Sequence, residues 1–127
     1  MNRKIAIIAF SLVFLLLLSA AEQVLVSRLT HAALSDTRRI TEEIRAHQLG
    51  IAMNDAKALD QAWDREAKKL ELLVDHSSTD EVRYAFSRLI AALEQDDSAT
   101  AMVYACELEG ALEHVYERQM LTVENIF

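Results

Sequence analysis

Proline is absent from this 127-residue chain, and glycine occurs twice, at Gly50 and Gly110. These are the two residue types that most often interrupt helices, so their scarcity predicts an all-α protein with long, rarely broken helices. There is no Gly-rich phosphate loop and no serine elbow. A lone cysteine, Cys106, excludes an internal disulfide and CxxC chemistry. In a domain outside the membrane, that lack suggests a bacterial source and stability from packing alone. Positive charge is also scarce. Residues 22–127 hold 11 basic residues against all 20 acidic ones, a net charge of −9. Nucleic acid is an unsuitable partner for such a surface, as is anionic lipid for a domain lying flat on it.

Against these absences stands one long apolar run. Ile5 to Ala21 reads IAIIAFSLVFLLLLSAA, preceded by Arg3 and Lys4 and closed by Glu22. As a helix it rises about 25 Å, short but usable against a bilayer core of about 30 Å. Arg3 and Lys4 can snorkel to one interface, and Gln23 to Val26 can extend the apolar side at the other. The positive-inside rule then keeps the N-terminus cytoplasmic and the rest of the chain outside. The expected organisation is a transmembrane signal-anchor over 1–21, a stalk or first bundle helix over 22–50, and an antiparallel bundle of three to four helices, with a C-terminal tail, over 51–127. The alternative is secretion after cleavage following Ala21, since Ser19-Ala20-Ala21 offers small residues at signal-peptidase spacing.

Beyond Glu22, Leu25, Leu29, Ala33, Ile40, Ile44 and Ile51 recur near helical spacing. The stripe fades at Ser35-Asp36-Thr37, where a break is possible but not forced. Gly50 is the first expected stop, with Asn54 or Asp55 as the next N-cap. A second helix is expected over 55–74, with Leu59, Trp63, Ala67, Leu70 and Val74 inward and the Trp63 indole N–H bonded to a partner if buried. Ser78 and Glu81 have capping-box spacing at the start of a third helix, 79–95. Val82, Phe86, Leu89 and Leu93 face inward there, and Asp96-Asp97-Ser98 ends it and caps the next. The fourth helix, 98–119, has two apolar faces. Ala101, Tyr104, Ala105, Leu108, Leu112 and Val115 form a face of mostly large residues. Ala99, Val103, Cys106 and Gly110 form a small-residue face opposite. Gly110 costs about 1 kcal/mol in a helix interior, which close approach of another helix offsets. Either the fourth helix is central in the bundle or a partner chain covers its small face. The apolar residues of Leu121 to Phe127 suggest a tail folded back onto the bundle.

Candidate chemistry is sparse. None of His31, His47, His76 and His114 has a metal-binding spacing. Asp75 and His76 in one turn can meet His114, Glu113 and Glu117 in space as a divalent-metal set; otherwise each His caps a helix or holds a carbonyl. Arg88, beside the core position Leu89, pairs with an acid on the second or fourth helix or meets a ligand. Cys106, mid-helix among small apolar residues, reads as buried and inert. Glu42-Glu43 and Asp96-Asp97 read as ordinary surfaces and caps. No convergent catalytic set and no cofactor site can be named, so an enzyme is not expected.

Trp63, Asp75-His76-Ser77, Asp80-Glu81-Val82, Arg88-Leu89, Leu112-Glu113-His114 and the ending Leu121-x-x-Glu124-Asn125-Ile126-Phe127 together resemble a family of short bacterial membrane-anchored proteins, domain of unknown function 4363. The resemblance covers the apolar segment and nearly all of the remainder. It implies an N-terminal membrane helix before the domain and no established activity. Asp75, His76, Arg88, His114 and Asn125 match recurrent polar positions of that family. Arg83 stands where its pattern has an acidic residue.

Two functions are expected from different classes. One is a single-pass, membrane-anchored, extracytoplasmic helical module without catalysis. It contacts lipid through residues 5–21 and docks another membrane protein or itself. The other is a ligand- or metal-sensing module using Asp75, His76, Arg88 and His114.

Overall fold

The computed structural model describes residues 2–70 and 76–126, with side chains over 2–69 and 77–118. Four helices account for them: α1 (Asn2–Arg45), α2 (Leu49–Leu70), α3 (His76–Glu94) and α4 (Ser98–Ile126). Each packs on its chain neighbours, and α4 closes back on α1, giving an up-down-up-down bundle.

The helix ends follow from backbone chemistry rather than from glycine. α1 stops at His47, whose φ is 55°. The His47 N–H donates to the Ile44 carbonyl and the Gln48 N–H to the Glu43 carbonyl, a Schellman closure. α3 stops the same way at Asp96, φ 53°, with Asp96 N–H to Leu93 O and Asp97 N–H to Ala92 O. Histidine and aspartate tolerate this left-handed region better than most residues. Gly50, the expected stop, instead lies in the first turn of α2, which starts six residues before the expected start at Asp55.

α1 is a single helix of 44 residues, about 66 Å long. No break occurs at Ser35-Asp36-Thr37, because the inward stripe continues through it. Val26, Thr30, Ala33, Thr37, Ile40 and Ile44 alternate four- and three-residue steps, and all are buried. Each buried threonine hydroxyl donates to the carbonyl four residues earlier: Thr30 to Val26 and Thr37 to Ala33 at 2.7 Å, and Thr41 to Thr37 at 3.0 Å. Burial of these hydroxyls therefore leaves no donor unpaired.

The core adds Ala52, Ala56, Trp63 and Ala67 from α2, Val82, Phe86, Leu89 and Leu93 from α3, and Ala101, Ala105, Leu108, Leu112 and Val115 from α4. Trp63 is buried as expected, but its indole N–H has no hydrogen-bond partner among the described residues. Two cross-helix registers are antiparallel and step in sevens. The His31 and Tyr116 rings lie 5.1 Å apart, and Arg38 donates to Glu109 at 3.2 Å, tying α1 to α4. Glu81 meets His114 at 3.4 Å and Arg88 meets Glu107 at 3.6 Å, tying α3 to α4.

Two expected ends change. α4 does not stop near Gln119 and fold back; it runs on as helix to Ile126. α3 begins at His76, so Ser78 is inside the helix rather than its cap. Ser78 is buried and accepts a hydrogen bond from Arg118 at 3.2 Å, as does Ser77.

α1 is long and apolar enough over its first part to cross a membrane. From Ile5 to Leu18 its large apolar side chains are all exposed.

Candidate functional site

The α3/α4 surface brings together part of the sequence-derived polar set. Arg88 Nη1 faces Glu107 Oε2, and His114 Nδ1 faces Glu81 Oε2. On α4 these pairs are two turns, about 10 Å, apart. A shallow groove of about 270 Å³ lies between them, lined by Glu81, Ala85, Arg88, Glu107, Gly110 and Ala111. Arg88 and His114 therefore bracket a groove and do not converge on one atom. Asp75 lies outside the described residues. His76 opens α3 and Asn125 is in the last turn of α4, and both side chains lie outside the described set. Among the described residues, no three His, Cys, Asp or Glu side chains are grouped to hold a metal ion.

The small-residue face of α4 is outermost. Ala99, Val103, Cys106 and Gly110 are all exposed, Val103 by 56%. α4 is therefore not a central helix: its large-residue face makes the core and its small face is open. Cys106 is exposed, not buried as the sequence suggested. A Cβ built on Gly110 meets nothing within 4 Å, so nothing in the bundle uses the missing side chain. The same four-and-three spacing carries the face on to Glu113 and Glu117, both exposed. The stripe is small and uncharged at the end far from the apolar segment, and acidic toward it.

The start of α4 is capped by Asp97. It accepts the Thr100 hydroxyl at 2.7 Å and the Thr100 N–H at 3.1 Å, and these bonds hold its carboxyl below the usual range. Between α2 and α3, partial burial and the neighbouring Asp64 raise the Asp60 carboxyl, against the opposing pull of Arg83.

Sequence reasoning missed a cluster at the α1/α2 interface. Glu43, expected on the surface, has only 12% of its side chain exposed. Arg39 lies 3.8 Å from Glu43 and 3.8 Å from Asp55, and 3.5 Å from Asp36. Burial, then the adjacent Asp55, push Glu43 up to about 7, and Arg39 only partly opposes them. Ionised, Glu43 leaves Oε2 buried without a partner among the described residues; protonated, it has a donor for Asp55. The available signal was Glu43's place next to Ile44 on the flank of the core stripe.

The class defined by fold and surface is a small antiparallel four-helix bundle built onto a long helix with an apolar N-terminal half. The chain belongs to the family described as Domain of unknown function (DUF4363), whose model matches residues 22–126. The matched region begins where the apolar run ends. No curated protein and no solved structure matches the chain significantly.

Proposed function

We propose that the protein is a single-pass, membrane-anchored interaction module. Its bundle stands on the extracytoplasmic side and docks a helix of another membrane protein along the small face of α4. The observation that carries this is Gly110: a mid-helix glycine, costing about 1 kcal/mol relative to alanine, opposite the core, where a Cβ would meet no other part of the described chain within 4 Å. A second helix approaching closely gives that missing side chain a use. The stripe also states the partner's chemistry. Its small half suits an apolar ridge, and Glu113 and Glu117 suit cations nearer the membrane. Two copies anchored side by side set these glutamates against each other, which favours a different chain over self-association.

Retention of the anchor is supported by the course of α1. Ser19-Ala20-Ala21 lies within unbroken helix, and Ser19, Glu22 and Gln23 are already partly covered. Arg3 and Lys4 at the start of the span support a cytoplasmic N-terminus. The sensing alternative has less behind it, since Arg88 faces Glu107 and His114 faces Glu81 in two separate contacts across α3 and α4.

Crosslinking from Cys106 in membranes carrying the full-length chain tests the docking. A reproducible heteromeric adduct is expected, and it should be lost in Gly110→Leu while the bundle's melting temperature does not fall. Recovery of monomer or homodimer alone, or an adduct indifferent to Gly110→Leu, overturns the proposal.

A further inference from the structure

The apolar band and the bundle do not meet at one level of α1; they overlap on opposite faces. On the inner face, partial burial begins at Ser19 and continues through Glu22 and Gln23 to the buried Val26. On the outer face the apolar surface continues past Ala21, with Val24 52% and Leu25 53% exposed. A shallow groove of about 430 Å³ runs along it, lined by Ala20, Ala21, Val24, Leu25 and Arg28. The α1/α4 register agrees with the overlap. Tyr116 is level with His31 and Glu109 with Arg38, which brings Ile126, at the end of α4, level with Ala21.

We propose that this outer face is a seat for a phospholipid of the leaflet on the bundle's side, with Val24 and Leu25 against its acyl chains and the Arg28 guanidinium on its phosphate. The inference rests on the membrane reading of residues 5–21 and deepens it. Counted on the outer face, Ile5 to Leu25 rises about 31 Å, matching a hydrocarbon core of about 30 Å where the run ending at Ala21 falls short. Arg28 lies one turn further on, at headgroup height, and its stem can lie along Val24 and Leu25 while its head reaches the phosphate. Arg38, Arg39, Arg45, Arg83 and Arg88 all make ion pairs within the chain. Arg28, exposed, makes none among the described residues. A planar guanidinium with no ion pair among the described residues, beside an apolar groove continuous with a lipid-facing band, suits a phosphate diester. The end of α4, level with Ala21, then lies about 6 Å below Leu25 on the opposite face of α1, so the lower edge of the bundle reaches through the headgroup layer to the margin of the hydrocarbon, and the unbroken α1 holds it upright.

The test uses the full-length chain with Cys106→Ala, reconstituted in phosphatidylcholine vesicles, with single nitroxide labels at positions 17, 25 or 32. The label at 25 should be as protected from a water-soluble paramagnetic quencher as the label at 17, and several-fold less accessible than that at 32. In the unlabelled chain, solid-state dephasing of arginine guanidinium carbon by lipid phosphorus should lose a measurable share on Arg28→Gln. If position 17 is protected but position 25 is as accessible as position 32, this proposal fails and the membrane anchor stands. Accessibility at position 17 sinks both. Dephasing unchanged by Arg28→Gln removes the phosphate contact and overturns the proposal.

Discussion

Between Ile5 and Leu18, α1 carries large apolar side chains on every face, and all of them are exposed. Between Val26 and Ile44 it carries one narrow inward stripe, interrupted by Thr30 and Thr37, and every residue of that stripe is buried. The two stretches share one uninterrupted hydrogen-bonded backbone. They differ in what surrounds them. The first suits a medium that accepts apolar groups in all directions, as a bilayer does. The second meets other helices on one side and water on the other, so it needs few apolar residues at the right spacing. Threonine serves there because its hydroxyl is satisfied by its own helix and its methyl faces the core. Hydrophobicity summed over a window therefore says little about which part of α1 holds the bundle together.

The sharpest way to break this comparison is to make the same kind of truncation in both stretches. Ile40 is fully buried, so Ile40→Ala should destabilise the bundle by about 2–5 kcal/mol. Denaturant unfolding followed by circular dichroism measures this; a loss under about 1 kcal/mol contradicts the assigned core.

Glu43 tests the boundary between stripe and solvent. Its carboxyl stands at about 7 in the folded chain against 4.5 as the ordinary value. Between those values the folded state keeps a proton that the unfolded chain has released. This contribution to stability is therefore full below about 4.5 and is lost as pH rises through about 7. Glu43→Gln keeps a donor for Asp55 without the charge. It should flatten the pH profile and stabilise the bundle by about 2 kcal/mol at pH 8. A profile unchanged by the substitution would falsify the buried-carboxyl assignment.

Gly110→Ala gives a smaller effect of the opposite sign to Ile40→Ala. A Cβ there meets nothing within 4 Å, so the isolated chain should gain about 1 kcal/mol. Destabilisation in the monomer means the small face is already in use within the chain.

The smallest effect is expected for Leu15→Ala. Leu15 is 63% exposed and touches no part of the core, so unfolding of the bundle in detergent should shift by less than about 0.5 kcal/mol. A loss comparable to that of Ile40→Ala erases the distinction between the two stretches.

Much of the architecture is legible in residue order. Scarce glycine and absent proline predicted helices alone, and the helix does run from the apolar segment into the bundle without a break. Trp63, Phe86, Leu89, Leu108 and Leu112 are buried where their spacing placed them. The errors cluster on polar residues with two uses. Thr37 resembled a breaker but fills a core position, and Ser78 resembled a cap but accepts from Arg118. His47, not Gly50, ends α1. Cys106 shares spacing with small apolar neighbours, yet no helix of this chain stands over it. For the candidate site, periodicity marked the small face of α4 as distinct, and the fold showed which of the two faces is open.

Local composition determined that this chain is helical, that its first helix begins as an apolar rod, and that its remainder is acidic. Those properties depend on backbone freedom, side-chain volume and charge, which each residue carries wherever the chain goes. The tertiary structure alone decided that Glu43 is largely buried, that Gly110 faces outward, and that Arg28 stands beside an apolar groove with no ion pair among the described residues. Each of these depends on whether a second helix covers the residue, and that is set by how α1 to α4 pack rather than by neighbours in the chain.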